Sequence, residues 1–272
     1  MIRIGPAGSG GLGNLNGIRK VARMKLDCME VEFTYGVRMT MDAARVLGAF
    51  AEDKGVILSV HAPYYINLSS DEEEKAVASK KRILESCERA DALGAHNVVF
   101  HAGFYQKRSP ELTFNLIKKA ILEMQEHISR KRWQTRLCPE IAGRTSQFGS
   151  LDELLKLMKE TGCEITVDFS HLYARQQGNI DYPRLFERLP KKFHAHFSGI
   201  KYGEKGEKKH VVTTKKFFEP LAKELVKRKL EVTVISESPR PYKDAAMMKK
   251  VLQRLQGKGV RKGSSKYLKG MS

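Results

Sequence analysis

The chain has little cysteine: four in 272 residues, at Cys28, Cys87, Cys138 and Cys163, with no CxxC spacing among them. That excludes a zinc knuckle built on thiolates. Three of the four stand in or beside strand-like runs, so reduced core thiols are expected rather than disulfides. There is also no uninterrupted apolar run of about 18 residues, the length that a membrane-crossing helix requires. Met1 leads directly into "IRIGPA", without a basic segment followed by an apolar one, so no leader is expected and the predicted location is the cytoplasm. No linker rich in proline or serine and no break in composition divides the chain, which predicts a single domain over residues 1–272.

Acid is scarce relative to base. Lys+Arg number 49 against 31 for Asp+Glu, a net charge of +18, and the isoelectric point is near 9.7. A thermophile's lysine enrichment normally raises glutamate in parallel, which is not the case here. Such a field favours a polyanionic partner. The stretch 245–272 carries Lys249, Lys250, Arg254, Lys258, Arg261, Lys262, Lys266 and Lys269 and no acid, which reads as a basic helix followed by a flexible end from about residue 257.

Hydrophobic residues make up 41% of the chain, enough for a substantial core. Eight runs read as buried or half-buried strands: "IRIGPA" from 2, "CMEVEFT" from 28, "VILSVHA" from 56, "NVVFHAG" from 97, "TRLCPEI" from 135, "EITVDFS" from 164, "KFHAHFSG" from 192 and "EVTVISES" from 231. Between them lie stretches with apolar residues three and four apart, among them "MDAARVLGAFAEDKG", "PELTFNLIKKAILEMQEHISRK" and "SLDELLKLMKETG". Eight alternating units at this length predict a (β/α)8 barrel. "GSGGLG" at 8–13 also fits the dinucleotide pattern G-x-G-x-x-G, with Glu30 or Glu32 at the distance of a ribose-binding acid. Pro6 interrupts the junction and eight regular units leave no place for a separate dinucleotide domain, so a loop on the barrel's functional face is the better reading.

Barrel chemistry sits where the strands run out at their C-terminal ends. Strand 3 ends with His61, strand 4 with His101, strand 5 with Glu140, strand 6 with Asp168 followed by His171, strand 7 with His196 and strand 8 with Glu237. A single strand histidine is more often a hydrogen-bonded core residue, and a strand-end carboxylate more often a helix cap. Six successive units each ending on a metal-ligand type is a pattern that chance does not supply. His210 joins them, whereas His96, His127 and His194 read as structural, although His194 shares a strand face with His196 and could replace it. Imidazoles and carboxylates without thiolates favour zinc, with manganese or iron allowed by ligand type. Glu140, central in chain order, could bridge two ions, the arrangement that serves phosphoryl transfer in many phosphatases and nucleases.

Over nearly its whole length the chain resembles the endonuclease IV family in its archaeal branch, the zinc-dependent apurinic/apyrimidinic endonucleases of base excision repair. The resemblance rests on "VHAPYYINL" (60–68), "VFHAGFY" (99–105), "PEIAGR" (139–144), "VDFSHLYA" (167–174), "HAHFSG" (194–199), "GEKGEKKH" (203–210) and "SESP" (236–239). It implies that His61, His101 and Glu140 hold one zinc ion, Glu140, Asp168, His196 and Glu237 a second, and His171 and His210 a third, so two or three ions per chain. Glu140 is then the central catalytic group. It further implies cleavage of double-stranded DNA 5′ to an abasic site, leaving a 3′-hydroxyl and a 5′-deoxyribose phosphate, by a protein expected to act as a monomer. Extruding the lesion costs a few kcal/mol, and Tyr64 and Tyr65 match the wedge that the family inserts into the duplex, with Arg38 a weaker candidate.

Two departures stand out. The family's Asp-x-His has Lys208 in the aspartate position, which predicts a weak or altered third site unless a rearranged loop lets Glu207 substitute. "EIAGR" differs from the family's run after strand 5, so packing around Glu140 is expected to differ. The runner-up is a sugar isomerase or epimerase of the xylose-isomerase-like barrels, for which Glu140, Asp168, His196 and Glu237 would suffice. A catalytically inert nucleic-acid-binding barrel is a third reading, and only Lys208 speaks for it.

Overall fold

A parallel strand covered on both faces needs apolar residues at nearly every position, which "VILSVHA" and "NVVFHAG" provide. The computed structural model describes the backbone of residues 1–228 and 230–267 and the side chains as far as 257, apart from Lys229. The strands are β1 (Ile2–Pro6), β2 (Cys28–Glu32), β3 (Ile57–His61), β4 (Asn97–Phe100), β5 (Arg136–Pro139), β6 (Thr166–Asp168), β7 (Lys192–Phe197), β8 (Gly199–Gly203), β9 (Gly206–Val211) and β10 (Glu231–Ser236). The helices are α1 (Asn14–Arg23), α2 (Met41–Asp53), α3 (Glu73–Ala92), α4 (Pro110–Lys131), α5 (Leu151–Thr161), α6 (Phe169–Arg175), α7 (Tyr182–Arg188), α8 (Lys215–Lys227) and α9 (Pro241–Tyr267). Each of the eight runs expected to be strands is one.

Two four-stranded parallel sheets, in the orders β1-β10-β7-β6 and β2-β3-β4-β5, make up the barrel. They meet at two seams, each carried by one parallel bridge: Ala7 with Glu30 between β1 and β2, and Glu140 with Thr166 between β5 and β6. The fold is therefore the (β/α)8, or TIM, barrel that the sequence predicts. Local signals set the helix starts. Ser150 and Glu153 form a reciprocal capping box on α5, and Ser109 caps α4 with Pro110 in its first turn.

Val60, Val98 and Ile235 are fully buried, whereas buried polar groups, Glu30, His61, Glu140, His194 and His196 among them, gather inside the barrel. Among the described residues no helix is long and apolar enough to cross a membrane. The basic end expected from about residue 257 continues the backbone of α9 to Tyr267; its side chains from 258 onward and residues 268–272 lie outside the described residues.

One element goes beyond the regular alternation. β8 and β9 form an antiparallel hairpin that rises from the end of β7, with Gly203 paired to Gly206 across a two-residue turn. The ladder pairs Lys201 with Lys209 and then Tyr202 with Glu207, so Lys208 is the extra residue of a β-bulge.

Candidate metal centre

The strand ends bring seven of the eight expected ligands to the mouth of the barrel, and the hairpin adds His210. Of the ligand-type groups whose donor atoms all lie within 4.8 Å of one another, three are at the mouth: His61 with His101 and Glu140; Glu140 with Asp168, His171 and Glu237; and His171 with Glu207 and His210. Glu140 is central: its carboxylate lies 3.3 Å from His61 Nε2, 3.4 Å from His101 Nε2 and 2.9 Å from His196 Nδ1.

Backbone carbonyls decide which ring nitrogens are free. His61 Nδ1 lies 2.8 Å from the oxygen of Ala62, His171 Nδ1 2.9 Å from that of Ile141, and His210 Nδ1 3.2 Å from that of Glu237. A carbonyl only accepts, so each Nδ1 carries a proton, and Nε2 is the nitrogen left to face a ligand. This bears on the second group. His171 enters it through Nδ1, which is already committed to Ile141, whereas His196 Nδ1 sits 2.9 Å from Glu140 and 3.1 Å from Glu237. His196 thus offers Nδ1 to Glu140 and Glu237, and His171 faces the third group through Nε2, 3.0 Å from His210 Nε2 and 3.4 Å from Glu207.

Asp168 combines two roles that its Asp-x-x-His setting suggests separately. Its Oδ1 caps α6, accepting from the amides of Ser170 and His171 at 2.6 and 2.7 Å. Its Oδ2 is buried without a hydrogen-bond donor and lies 3.3 Å from His171 Nδ1. The cap starts the helix, and the first helical turn carries His171 to the neighbouring group.

Of the two outcomes left open at Lys208, the bulge gives the rearrangement that lets Glu207 take the place. Side chains alternate along a strand, so an unbulged β9 would turn residue 208 to the face of His210. The extra residue shifts that phase by one. Glu207 then faces inward, 3.4 Å from His171 and 3.6 Å from His210, while Lys208 is exposed and lies against Gly203. Gly143 makes room: a Cβ there would come within 2.7 Å of Glu207 and 2.9 Å of His171.

Two carboxylates from β2 complete the interior, and the sequence pattern had suggested them only as ribose-binding acids. Glu30 is fully buried. Its Oε2 accepts from Ser59 Oγ at 2.7 Å and lies 2.8 Å from His194 Nε2; its Oε1 is 2.8 Å from His196 Nε2. His194 thus belongs with Glu30 and not with the mouth. Glu32 lines the cavity at the mouth. The signal was present in "CMEVEFT", since two acids at period two in a strand otherwise buried on both faces require inward partners. His96 contacts the carbonyl of Gln134 and His127 packs by Trp133, both away from the mouth.

The donor set fits divalent cations. Asp168 Oδ2, Glu30 Oε1 and Glu32 Oε1 are buried oxygens without donors, a costly state unless a cation or proton joins them. Burial pushes Glu140 up, but His101, His196 and His171 outweigh it and hold its carboxyl well below the usual range. Burial raises Asp168 to about 6 and Glu32 to about 8. It pulls His61 down, yet Glu140 and the nearby acids prevail and carry the ring up to about 10. Burial lowers His101.

Above the ligands opens a cavity of about 460 Å³ lined by Glu32, His61, Tyr64, His101, His210 and Glu237, among others. Tyr64, which also lines it, is 59% exposed, and the adjacent Tyr65 is 62% exposed. Tyr35, which no sequence motif singled out, is 70% exposed with its ring 6.4 Å from that of Tyr65. Arg38 is exposed on the same β2 loop, which is tied to the β3 loop by the amide of Tyr64 donating to Thr34 at 3.0 Å.

Known proteins share this architecture. The chain is 38% identical over 247 residues to an uncharacterized protein of Methanocaldococcus jannaschii, across 86% of this chain and 89% of that protein. It is 34% identical over 125 residues to a probable endonuclease 4 of Carboxydothermus hydrogenoformans, a match spanning 43% of this chain and 42% of that protein. Two solved structures superpose with a TM-score of 0.69 over 94% of this chain and 99% of theirs: endonuclease IV from Thermus thermophilus, 19% identical, and D-psicose 3-epimerase in the presence of D-fructose, 15% identical. At those identities the likeness speaks to the fold alone. The profile of one family, described as xylose isomerase-like TIM barrel, matches residues 18–258, and it is to this family that the chain belongs.

Proposed function

We propose that the protein is a metal-dependent endonuclease that cleaves DNA 5′ to abasic sites. One observation carries the reading: the third ligand group, His171, Glu207 and His210, which the hairpin bulge assembles and which isomerisation of a small sugar does not need. His61, His101 and Glu140 would hold one cation, Glu140, Asp168, His196 and Glu237 a second, and His171, Glu207 and His210 a third. Zinc suits this set, and manganese or iron could replace it. Bound there, the cations would supply Lewis-acid stabilisation of phosphoryl oxygens and a water of lowered pKa.

The chain's own residues supply the rest. The carbonyls of Ala62, Ile141 and Glu237 fix three ring tautomers before any substrate arrives. Exposed Tyr64 and Tyr65 stand where an unpaired stretch of duplex could stack on them, and the charge of +18 favours the phosphate backbone. The sugar reading keeps a place because of Glu32, a carboxyl lining the cavity in a position to meet hydroxyl groups as readily as phosphate. The test is direct: zinc-loaded protein is incubated with a duplex carrying one synthetic abasic site, and in parallel with a panel of ketohexoses. Incision leaving a 3′-hydroxyl is expected. Epimerised sugar without incision would overturn the proposal in favour of the second reading.

A further inference from the structure

We infer that Glu30 is a positioning residue that fixes the tautomer of His196 and thereby sets how tightly the second cation is held. The inference rests on the metal-site reading above. Of the mouth histidines with a partner on each nitrogen, His61, His171 and His210 each give Nδ1 to a backbone carbonyl and keep Nε2 for the ligand side. His196 is reversed. Its Nδ1 faces Glu140 at 2.9 Å and Glu237 at 3.1 Å, and no carbonyl serves its other nitrogen. Nε2 is buried and its neighbour is Glu30 Oε1, 2.8 Å away.

The two atoms are close without being aligned as a hydrogen bond, and neither has another partner. Imidazole chemistry assigns the proton between them. When Nδ1 gives its lone pair to a cation, the single ring proton resides on Nε2, and Glu30 Oε1 is the acceptor within reach. A small rotation of the ring aligns them and satisfies both buried atoms together. Glu30 cannot easily turn away, because its Oε2 is held by Ser59 Oγ at 2.7 Å and His194 Nε2 at 2.8 Å. His194 and Ser59 therefore serve Glu30, Glu30 serves His196, and His196 serves the cation. A carboxylate behind an imidazole also makes the ring a stronger donor than a carbonyl does, so the second cation gains the most basic histidine in the centre.

The fully buried group of Glu30, His194 and His196 has the composition of a ligand set in its own right, but Oε2 already has two partners. Orientation of His196 accounts for the two atoms that remain.

Two measurements test the assignment. In the zinc-loaded wild-type protein, long-range nitrogen–proton NMR of the histidine rings should show His196 metallated at Nδ1 with its proton on Nε2. In Glu30→Gln, chelator competition should show one cation released about 10- to 100-fold more readily, the others unchanged, and an altered visible spectrum after cobalt substitution. Glu30→Asp keeps the charge but withdraws the oxygen and should behave like the glutamine variant. Metallation of His196 at Nε2, or cation retention by Glu30→Gln equal to wild type, overturns the inference. So does a wild-type chain that binds an additional ion which Glu30→Gln loses even at saturation, since Glu30 would then be a ligand. If the variant does not fold, the wild-type NMR measurement still decides. Wild-type protein that takes up no cation would refute the metal-site reading itself, a different result from a wrong tautomer.

Discussion

If the bulge at Lys208 is what brings Glu207 inward, three changes at two adjacent residues should have unequal consequences. Glu207→Ala removes a carboxylate 3.4 and 3.6 Å from the two imidazoles of its group. A unit charge about 4 Å from its partner is worth roughly 4 kcal/mol at an effective dielectric near 20. A water entering the position offsets about half of that, so the expected loss is about 2 kcal/mol, roughly 30-fold in retention of one cation. Lys208→Asp should change retention by less than about twofold, because residue 208 is extruded and exposed. Removal of Lys208 altogether should also be tolerated: it converts Glu-Lys-Lys-His into Glu-Lys-His, and in an unbulged strand residues two apart share a face. Metal analysis during chelator titration of the four proteins reads all of this. A deletion variant as leaky as Glu207→Ala, or a gain from Lys208→Asp, would refute the reasoning.

The same geometry sets other outcomes. Glu140→Gln should abolish incision while leaving the far-ultraviolet circular dichroism unchanged, since a neutral amide of the same shape cannot hold two cations; nicking above a small fraction of the wild-type rate would count against the bridge. Metal uptake should weaken as pH falls and should release protons near neutrality: surrounding acids hold His61, His171 and His196 protonated in chelator-stripped protein, and Asp168 gains its own proton below about 6. A pH indicator in weak buffer measures the release, and uptake without it would contradict these proton positions. Binding to undamaged duplex should fall steeply with salt, and truncation after Gly257 should lower the slope; an unchanged slope would remove the basic end from the footprint. Tyr65→Ala should weaken binding to abasic duplex by about 1 to 2 kcal/mol, roughly 5- to 30-fold, with no loss of thermal stability because the ring is 62% exposed.

The barrel was legible because its strands are apolar on both faces and its helices begin at strong caps, as Ser109 and Ser150 do. The ligand types were legible because each ends a strand. Glu207 was not, because a bulge depends on how β8 and β9 pair, and the spacing Glu-x-x-His looks like a lost Asp-x-His until that pairing is known. Glu30 was obscured for another reason: a buried acid between Met29 and Val31 becomes intelligible once His194 and His196, more than 160 residues onward, are seen to face it. Tyr35 gave no local signal, since a tyrosine in a glycine-containing loop is unremarkable until a second ring stands beside it.

The two seams give the centre a mechanical meaning. Each half-barrel is knitted internally by several backbone pairs, but the halves are joined at each seam by one bridge. His61, His101 and Glu140 belong to one half, and Asp168, His196 and Glu237 to the other. A cation shared between Glu140 and the second set would act as a clasp across the seam, and Glu30, reaching from β2 to His194 and His196 on β7, spans the same divide from below. Opening the barrel and releasing the ions would then be one event, so added metal should raise the melting temperature as any ligand bound only by the folded state does, and chelation should loosen the β5–β6 edge before the helices that surround it.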